Sequence, residues 1–373
     1  MSVTWLLPKQ IFDGETLRTG WALGVEGGVT SQMIPVDAVP SDAEVRTLKH
    51  TISPGFIDLQ VNGGGGVLFN ASPRAESIEA IAQAHRSFGT VGILPTVISD
   101  TPGTLDAAVE AALQAWGQSG ILGIHIEGPH LSVDRRGTHA AKHLRPMDQS
   151  TLDHVRRLRE ALMPVMITLA PEAVESHQIT ELAEMGAVVS IGHSDATAEG
   201  TREALKAGAR AGTHLFNAMS PMLNRSPGVV GALINSDAYT GIIVDGEHVA
   251  EEMIALAIRA RPVPDRMFLV SDAMPTIGGP DHFNLYGHEV HLQDGKLINA
   301  EGSLAGAHLT QADGLHRLIS RIGIEPAAAL RMAITIPARV MGLEQMGRIE
   351  ARAAQDIICL DDDFRFYGYL QDA

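Results

Sequence analysis

The stretch GAVVSIGHSDATAEGTREALKAGARAGTHLF, residues 186–216, decides the fold class. It contains two apolar runs, each leading to a histidine, on either side of a segment with helical period. Apolar runs that alternate with helical segments are typical of β–α–β units around a parallel sheet. The stretch therefore predicts two parallel strands whose carboxyl ends carry His193 and His214.

The same alternation extends over residues 54–273, with helical segments such as 77–89 and 250–260 between the apolar runs. The runs are PGFIDLQ (54–60), VGILPTVIS (91–99), GILGIHIEG (120–128), MPVMITLAP (163–171), GAVVSIGH (186–193), ARAGTHLF (209–216), YTGIIVDGEH (239–248) and RMFLVSDA (266–273). Eight strands separated by helices predict an α/β protein with a closed (β/α)8 TIM-like barrel. An open doubly wound sheet is the alternative.

Both ends of the chain have a different pattern, with short β segments broken by turns. Because chain termini often lie close together, we expect both ends to pair into one small β-sandwich domain. The predicted boundaries are 1–52 and 338–373 for this domain and 53–337 for the barrel. Residues 278–300, rich in Gly, His and Asn, are predicted to form a hairpin inserted before the last helices.

Composition excludes several classes of protein. Of the 373 residues 45% are hydrophobic, which is enough for a large core and excludes a disordered chain. The formal charge of -16 would repel nucleic acid. The single cysteine, Cys359, can form neither an internal disulfide nor a thiolate metal cage, which favours a reducing compartment. We find no signal peptide and no apolar run near 18 residues, so we expect a cytoplasmic protein without a membrane partner.

Four of the apolar runs end at a residue that can bind a metal or transfer a proton: Glu127, His193, His214 and Asp272. The carboxyl ends of barrel strands form the active site, so these residues are expected to converge. Two imidazoles and one carboxylate suit a borderline ion such as Zn2+ and leave a position open for water. Asp272 is then free to act as a base. The set predicts metal-dependent hydrolysis of an amide or a related bond.

Three other motifs in the sequence are typical of different chemistry. GHSDA at 192–196 is one residue short of the G-x-S-x-G nucleophile elbow, which leaves a serine hydrolase using Ser194 as a distant alternative. We expect Ser194 or Asp195 to cap the following helix instead.

The glycine run 63–66 lacks the spacing of a phosphate loop and is expected to serve a tight turn or a close backbone approach. HIE at 125–127 is similar to the zinc deaminase motif, but the second half of that motif needs two cysteines.

An ordered set of motifs resembles the N-acetylglucosamine-6-phosphate deacetylase family of the amidohydrolase superfamily. The motifs are PGFIDLQVNGGGG (54–66), HIEGPHLS (125–132), RRGTH (135–139), TLAPE (168–172), IGHSDA (191–196), THLFNAMSPM (213–222), NRSPGVVGA (224–232), VDGEHV (244–249), VSDAMP (270–275), SLAGAHLT (303–310) and GRIEARAAQDIICLD (347–361). Single motifs occur in other amidohydrolases, whereas the ordered set is specific and covers nearly the whole chain.

The resemblance implies deacetylation of N-acetylglucosamine 6-phosphate in amino-sugar catabolism, by a barrel enzyme with a small β domain. It implies Glu127, His193 and His214 as ligands of one divalent metal, Zn2+ or another ion such as Fe2+, and Asp272 as general base and acid. It also implies a homodimer in which Arg225 binds the substrate phosphate of the neighbouring subunit. The residues implied in binding the sugar are Thr138, His139, Asn217, Ala218, His248, Leu304, Ala305 and Gly306.

Two positions depart from related sequences. The first strand ends Gln60-Val61-Asn62, where much of the superfamily has His-x-His and holds a second metal with it, and the arginine motif reads R-S-P-G where R-E-P-G is commoner. A carboxamide is a poor ligand for Zn2+ compared with an imidazole. We therefore expect Gln60 and Asn62 to be vestigial second-metal positions whose amides hydrogen-bond water or the surrounding loop, with little loss of activity in Gln60→Ala.

Other functions stay open at this point. Deacetylation of the galactosamine epimer differs only in the orientation of one hydroxyl, which the sequence does not reveal. Hydantoinase-like amidohydrolases bridge two metals with a carboxylated lysine at the end of the fourth strand, but here that strand ends Leu169-Ala170-Pro171-Glu172. A non-catalytic sugar-phosphate binding protein would have no use for the metal residues together with Asp272.

Overall fold

The computed structural model describes residues 3–299 and 301–373, and strands and helices alternate through these ranges. The strands are β1 (Thr4–Leu7), β2 (Gln10–Phe12), β3 (Leu17–Arg18), β4 (Trp21–Glu26), β5 (Val29–Pro35), β6 (Glu44–Thr47), β7 (Thr51–Pro54), β8 (Phe56–Val61), β9 (Gly63–Gly64), β10 (Val67–Leu68), β11 (Thr90–Ile98), β12 (Ile124–Glu127), β13 (Val165–Leu169), β14 (Val188–Ile191), β15 (Ala211–Gly212), β16 (Tyr239–Ile242), β17 (Met267–Leu269), β18 (His282–Leu285), β19 (His288–Gln293), β20 (Lys296–Ile298), β21 (Ile357–Leu360) and β22 (Phe366–Tyr369). The helices are α1 (Ala75–Arg86), α2 (Pro102–Ala115), α3 (Gln149–Glu160), α4 (Ser176–Glu184), α5 (Ala198–Lys206), α6 (Gly228–Ile234), α7 (Glu251–Arg259), α8 (Gln311–Ser320), α9 (Pro326–Leu330) and α10 (Ile336–Val340).

Eight parallel strands form the barrel, in the order β8, β11, β12, β13, β14, β15, β16 and β17. The segments that follow the first and last of them are joined, since the Asn62 N–H donates to the Ala273 carbonyl over 2.9 Å and Val61 forms a parallel bridge with Ala273. These contacts close the sheet on itself. The predicted (β/α)8 barrel is confirmed, and the open doubly wound alternative is wrong.

The barrel strands are apolar because both of their faces are covered. Every residue of β11, β12, β13 and β14 is buried, as expected for parallel strands between a packed interior and a ring of helices. Threonine side chains start two of the surrounding helices by accepting a backbone N–H, Thr101 from Thr104 and Thr310 from Asp313. Because all eight strands run parallel, their carboxyl ends lie at one rim of the barrel.

The two ends of the chain form a β sandwich beside the barrel. One sheet has the order β5-β4-β1-β6, and the other has the order β22-β21-β7-β2-β3 and so combines both ends. In the second sheet β21 runs antiparallel to β7, with Cys359 opposite Ile52. Leu6 and Leu23 of the first sheet share one apolar cluster with Ile52 of the second. The predicted β sandwich from both termini is confirmed.

The insertion before the last helices is a three-stranded antiparallel sheet, β18-β19-β20, rather than a single hairpin. Its apolar side chains pack with Ile98 and Met274 near the carboxyl rim of the barrel. The Tyr286 hydroxyl, in the turn between β18 and β19, donates to the Ser99 carbonyl over 2.5 Å. The insertion therefore contacts the loop that follows β11.

The glycine run at 63–66 makes the tight turn that was expected. Gly65 and Gly66 connect β9 to β10 with φ angles of 61° and 81°, a backbone conformation that favours glycine. Among the helices that the structure describes, none is long and apolar enough to span a bilayer.

Candidate active site

The four residues singled out at the strand ends meet at the carboxyl rim of the barrel. Glu127 is the last residue of β12, and His193 and His214 follow β14 and β15 by two residues. Asp272 follows β17 by three. His193, His214 and Asp272 have left-handed φ angles of 47°, 31° and 52°. Such backbone conformations are costly outside glycine and concentrate at functional sites.

Three of these side chains bring one atom each to a common point. Glu127 Oε1 lies 3.1 Å from His193 Nε2 and 3.1 Å from His214 Nε2, and the two nitrogens are also 3.1 Å apart. Tetrahedral ligands about 2.0–2.1 Å from a zinc ion are roughly 3.3 Å from each other. The donor set and its spacing therefore fit one divalent ion bound by Glu127, His193 and His214.

The hydrogen bonds around these ligands suit the same role. His193 Nδ1 donates to the Arg135 carbonyl over 2.9 Å, so a neutral His193 would offer its Nε2 lone pair to a metal ion. His214 Nδ1 is buried and has no hydrogen-bond partner among the described residues. Burial alone would raise the pKa of Glu127, but the hydrogen bonds with His193 and His214 outweigh burial and hold it well below its usual value. The carboxyl group is therefore ionised, as a metal ligand must be.

His139 also offers a ring nitrogen within 4.8 Å of Glu127 and His193, so it must be weighed as a ligand. The Ser99 backbone N–H donates to His139 Nδ1 over 3.3 Å, and the Ser99 hydroxyl lies 2.7 Å from the same nitrogen. Burial lowers the pKa of His139 to about 3, so the ring is neutral. A neutral ring that accepts at Nδ1 carries its proton on Nε2. His139 therefore presents an N–H donor to the site, and His214 is the better third ligand.

Asp272 lies beside the ligand cluster with two amides on one of its oxygens. Asn62 Nδ2 donates to Asp272 Oδ1 over 2.7 Å and Gln60 Nε2 donates to the same oxygen over 3.2 Å. Gln60 Nε2 also donates to Glu127 Oε1 over 3.1 Å. The expectation that these amides bind water or the loop is wrong, because the closed barrel places β8 next to the segment after β17. Burial, and then the charge of Glu127, raise the pKa of Asp272 to about 6.

A cavity of about 400 Å³ opens over these groups at the carboxyl rim. The residues proposed for sugar binding that line it are Thr138, His139, Asn217, Ala218, His248, Leu304 and Gly306. Ala305 lies behind the wall, fully buried, and its N–H donates to the Leu297 carbonyl over 2.9 Å. Arg225 is exposed and does not line the cavity of its own chain.

Sequence reasoning missed Asp245 and Arg135. Asp245 Oδ2 lies 2.5 Å from His248 Nδ1, and both side chains are buried. Burial would raise the pKa of Asp245, but the hydrogen bond with His248 outweighs it and lowers the pKa to about 2. With Nδ1 bound to Asp245, the His248 ring directs Nε2 away from Asp245. The spacing D-x-x-H was the only feature of the sequence that could have indicated this pair. Arg135 lines the cavity and forms an ion pair with Asp195 over 2.7 Å.

Ser194 has the surroundings of a structural residue. Its hydroxyl donates to Glu172 Oε2 over 2.8 Å and accepts the Ala196 N–H over 3.1 Å. Ser194 does not line the cavity. The expected capping role is also wrong, because Thr197 is the residue that caps α5, accepting from the Gly200 N–H over 3.1 Å. Ser194 is therefore held by Glu172 outside the cavity, where it has no access to a substrate bound there.

Known proteins share both the sequence and the fold. Residues 51–371 match the amidohydrolase family. The chain is 40% identical to N-acetylgalactosamine-6-phosphate deacetylase of Shewanella sp. (strain ANA-3), covering 86% of this chain and 82% of that one. It is 30% identical to N-acetylglucosamine-6-phosphate deacetylase of Haemophilus influenzae, covering 93% and 92%. The crystal structure of N-acetylglucosamine-6-phosphate deacetylase from Pasteurella multocida has a TM-score of 0.91 and 33% identity, covering 98% and 97%. The chain is therefore a hydrolase of the amidohydrolase family.

Proposed function

We propose that this enzyme hydrolyses the acetamide of N-acetylglucosamine 6-phosphate to glucosamine 6-phosphate and acetate, as a step of amino-sugar catabolism. The observation that carries the proposal is the cluster of Glu127 Oε1, His193 Nε2 and His214 Nε2, mutually 3.1 Å apart, beside Asp272. Relatives named for this deacetylation, which this chain covers almost completely, support the choice of substrate.

We propose one divalent ion per chain, with Zn2+ as the first candidate and Fe2+ as the next, held by the three clustered side chains. Such an ion would act as a Lewis acid toward the acetamide carbonyl and make a water molecule more acidic. The neutral amides of Gln60 and Asn62 offer no imidazole for a second ion, which supports a count of one.

The chain's own residues supply the proton transfers and the orientation. Asp272 takes a proton from the attacking water as the water oxygen bonds to the carbonyl carbon. It then delivers a proton to the amine nitrogen as the C–N bond breaks, so that acetate and the amine leave. The His139 Nε2–H is oriented to donate to the carbonyl oxygen, where negative charge develops.

We propose that the sugar is held by the residues of the cavity wall and that its phosphate is bound by Arg225 of a second copy in a homodimer. His248, whose Nδ1 donates to Asp245, faces the cavity and can hydrogen-bond a sugar hydroxyl through Nε2. Arg225 is exposed, and Met222 and Leu223 near it are 41% and 57% exposed. Apolar side chains of this size on a surface loop are suited to an interface between subunits. The guanidinium matches phosphate oxygens in a bidentate way.

The galactosamine epimer is the second candidate substrate. It is favoured by the 40% identity to a protein named N-acetylgalactosamine-6-phosphate deacetylase. Both candidates need the same metal residues and the same base, so the site chemistry does not separate them.

Turnover measured side by side on the 6-phosphates of N-acetylglucosamine and N-acetylgalactosamine tests the proposal. We expect acetate release from the glucosamine substrate at the higher kcat/KM, loss of release with a chelator, and recovery when a divalent ion is returned. A higher kcat/KM for the other epimer would establish the second candidate. Acetate release from neither substrate by the metal-loaded enzyme would refute both.

We also propose a division of the chain into domains and a location in the cell. Residues 1–52 and 338–373 form the small β domain, and residues 53–337 form the catalytic barrel. The protein is placed in the cytoplasm. Its single cysteine is buried and free, which suits a reducing compartment, where disulfides are rare.

A further inference from the structure

We propose that Gln60 and Asn62 form an amide clamp that holds Asp272 beside Glu127 and selects the Asp272 oxygen that exchanges protons. In this role they are positioning residues. The residues of a vestigial metal site would have no such role. The inference rests on the proposed function, because it concerns the base of that reaction.

The first support is the convergence of the amide donors on one oxygen. Asn62 Nδ2 and Gln60 Nε2 lie 2.7 Å and 3.2 Å from Asp272 Oδ1. No described side chain donates to Asp272 Oδ2 within hydrogen-bond distance. With Oδ1 occupied by two N–H groups, Oδ2 is the oxygen left to accept a proton from water. The clamp therefore distinguishes two oxygens that are chemically equivalent in a free carboxylate.

The second support is that the amides have one workable orientation. The nitrogen of Gln60 faces two carboxylate oxygens, Asp272 Oδ1 and Glu127 Oε1. A flipped amide would place its own oxygen against both of them, which is repulsive. Asn62 is placed in the same way, with Nδ2 on Asp272 and with an Oδ1 that has no partner among the described residues. Both side chains are at most 2% exposed, so little of either amide is open to bulk water.

The third support is that the backbone of the clamp is itself held. The Asn62 N–H donates to the Ala273 carbonyl over 2.9 Å and the Asn62 carbonyl accepts the Phe69 N–H over 3.0 Å. The Ser271 hydroxyl donates to the Gln60 carbonyl over 3.4 Å. The backbone of Asp272, beyond the end of β17, is held by the Ala307 N–H, which donates to its carbonyl over 2.9 Å. The clamp adds a connection from the Asp272 side chain to the end of β8 across the closure of the barrel.

The clamp also answers an electrostatic problem. Glu127 and Asp272 are two carboxyl groups at one site, and their like charges repel more strongly there than in bulk water because Glu127 is only 2% exposed. A neutral amide between them donates to both without adding charge. A second cation at this place would stabilise ionised Asp272 more strongly and make it a weaker base.

A double-mutant cycle between Asn62→Ala and Asp272→Asn tests the clamp on the metal-loaded enzyme. We expect Asn62→Ala to lower kcat roughly 10- to 100-fold, since misplacing a reacting group by about 1 Å can cost that much. KM and the metal content should stay near the wild-type values. In the Asp272→Asn background the same change should cost little, because the residue that the clamp orients no longer acts as a base.

Asn70→Ala is the matched control, since Asn70 is also a buried amide near the rim but bonds to Ile98 and Asp100. Its effect on kcat should be the same in both backgrounds. Gln60→Ala should lower kcat about tenfold, contrary to the small loss expected from the sequence. Equal losses for Asn62→Ala with and without Asp272→Asn, or a rise in KM with kcat unchanged, would overturn the clamp.

A second measurement needs no substrate and so separates failure of the clamp from failure of the proposed function. Crystal structures of the wild-type and Asn62→Ala proteins should show the Asp272 carboxylate rotated or split between conformers in the variant, with the β17 backbone unchanged. An Asp272 side chain that keeps its place without Asn62 would refute the clamp whatever the enzyme hydrolyses.

Discussion

His193 Nε2 lies 3.1 Å from His214 Nε2, a separation at which two bare nitrogen lone pairs would repel each other. A shared cation removes that repulsion, and Glu127 Oε1 completes the set of donors. We predict that one equivalent of Zn2+ per chain restores full activity to metal-stripped enzyme and that His193→Ala binds none tightly. Elemental analysis alongside activity measures both, with His154→Ala, a histidine paired with surface Asp106, as the control. Activity that rises until two equivalents are bound would show a binuclear centre.

Metal binding should release a proton. Burial would lower the pKa of His214, but the hydrogen bond with Glu127 outweighs burial and raises it. Below that raised pKa the metal-free site holds a proton that a metal must displace, so metal affinity falls as the pH falls. Calorimetric titration of stripped enzyme with Zn2+ in buffers of different ionisation enthalpy measures the number of protons released. A number near zero at pH 6 would contradict a protonated His214.

Asp272→Asn should leave the metal in place and lower kcat by roughly 10²- to 10⁴-fold, because the amide cannot take up the proton of the attacking water. Steady-state kinetics on metal-loaded variant checks the loss, and Asp281→Asn, at an exposed carboxylate of the insertion, serves as the control. A variant with a full metal complement and nearly wild-type kcat would remove Asp272 from the reaction.

Arg225→Ala should lower kcat/KM for the phosphorylated sugar and change it little for the unphosphorylated sugar. The transition-state stabilisation lost should be about 2 kcal/mol or more, the scale of a lost charged hydrogen bond. Arg202→Ala removes an exposed arginine that pairs with Glu199 and should change neither substrate. Equal losses on both sugars would contradict a phosphate role.

Mixing the Arg225→Ala and Asp272→Asn proteins tests whether Arg225 acts across an interface. In a mixed dimer the Asp272→Asn subunit would supply Arg225 to a site that retains Asp272, so about a quarter of wild-type activity should return after subunit exchange. Mixtures that stay as inactive as their components would contradict sharing of sites between subunits.

Asp58 should make stability depend on pH. Burial, only partly offset by hydrogen bonds with Ser271 and Gln60, raises the pKa of this carboxyl to about 7. Between the unfolded value of 3.8 and about 7, the folded state retains a proton that the unfolded state has released. The free energy of unfolding should therefore fall as the pH rises through this range, by up to about 1.4 kcal/mol per unit, and level off above it.

Urea unfolding of wild-type and Asp58→Asn proteins from pH 5 to pH 8.5 measures this contribution. The variant should lose less stability than the wild type as the pH rises, because it has no proton to release. Parallel curves for the two proteins would show that Asp58 is ionised in the folded state.

The sequence predicted the elements that depend on local pattern and missed contacts made over long separations. Each barrel strand was visible as an apolar run, and Glu127, His193 and His214 were visible because each ends such a run. The partners of Gln60 and Asn62 were not visible, since Asp272 is more than 200 residues away and meets them only when the barrel closes. The cap of α5 was misplaced because Ser194, Asp195 and Thr197 all accept hydrogen bonds, and the Glu172 carboxylate, which no local pattern reveals, binds Ser194.

The pairing of β7 with β21 has a consequence for synthesis on the ribosome. Ile52 is made about 300 residues before its partner Cys359, so this edge of β7 remains uncovered while the barrel is translated. Uncovered edges invite pairing with other chains. A chain that stops before β21 would therefore expose an edge strand that can start aggregation. Only a chain that includes β21 can cover this edge.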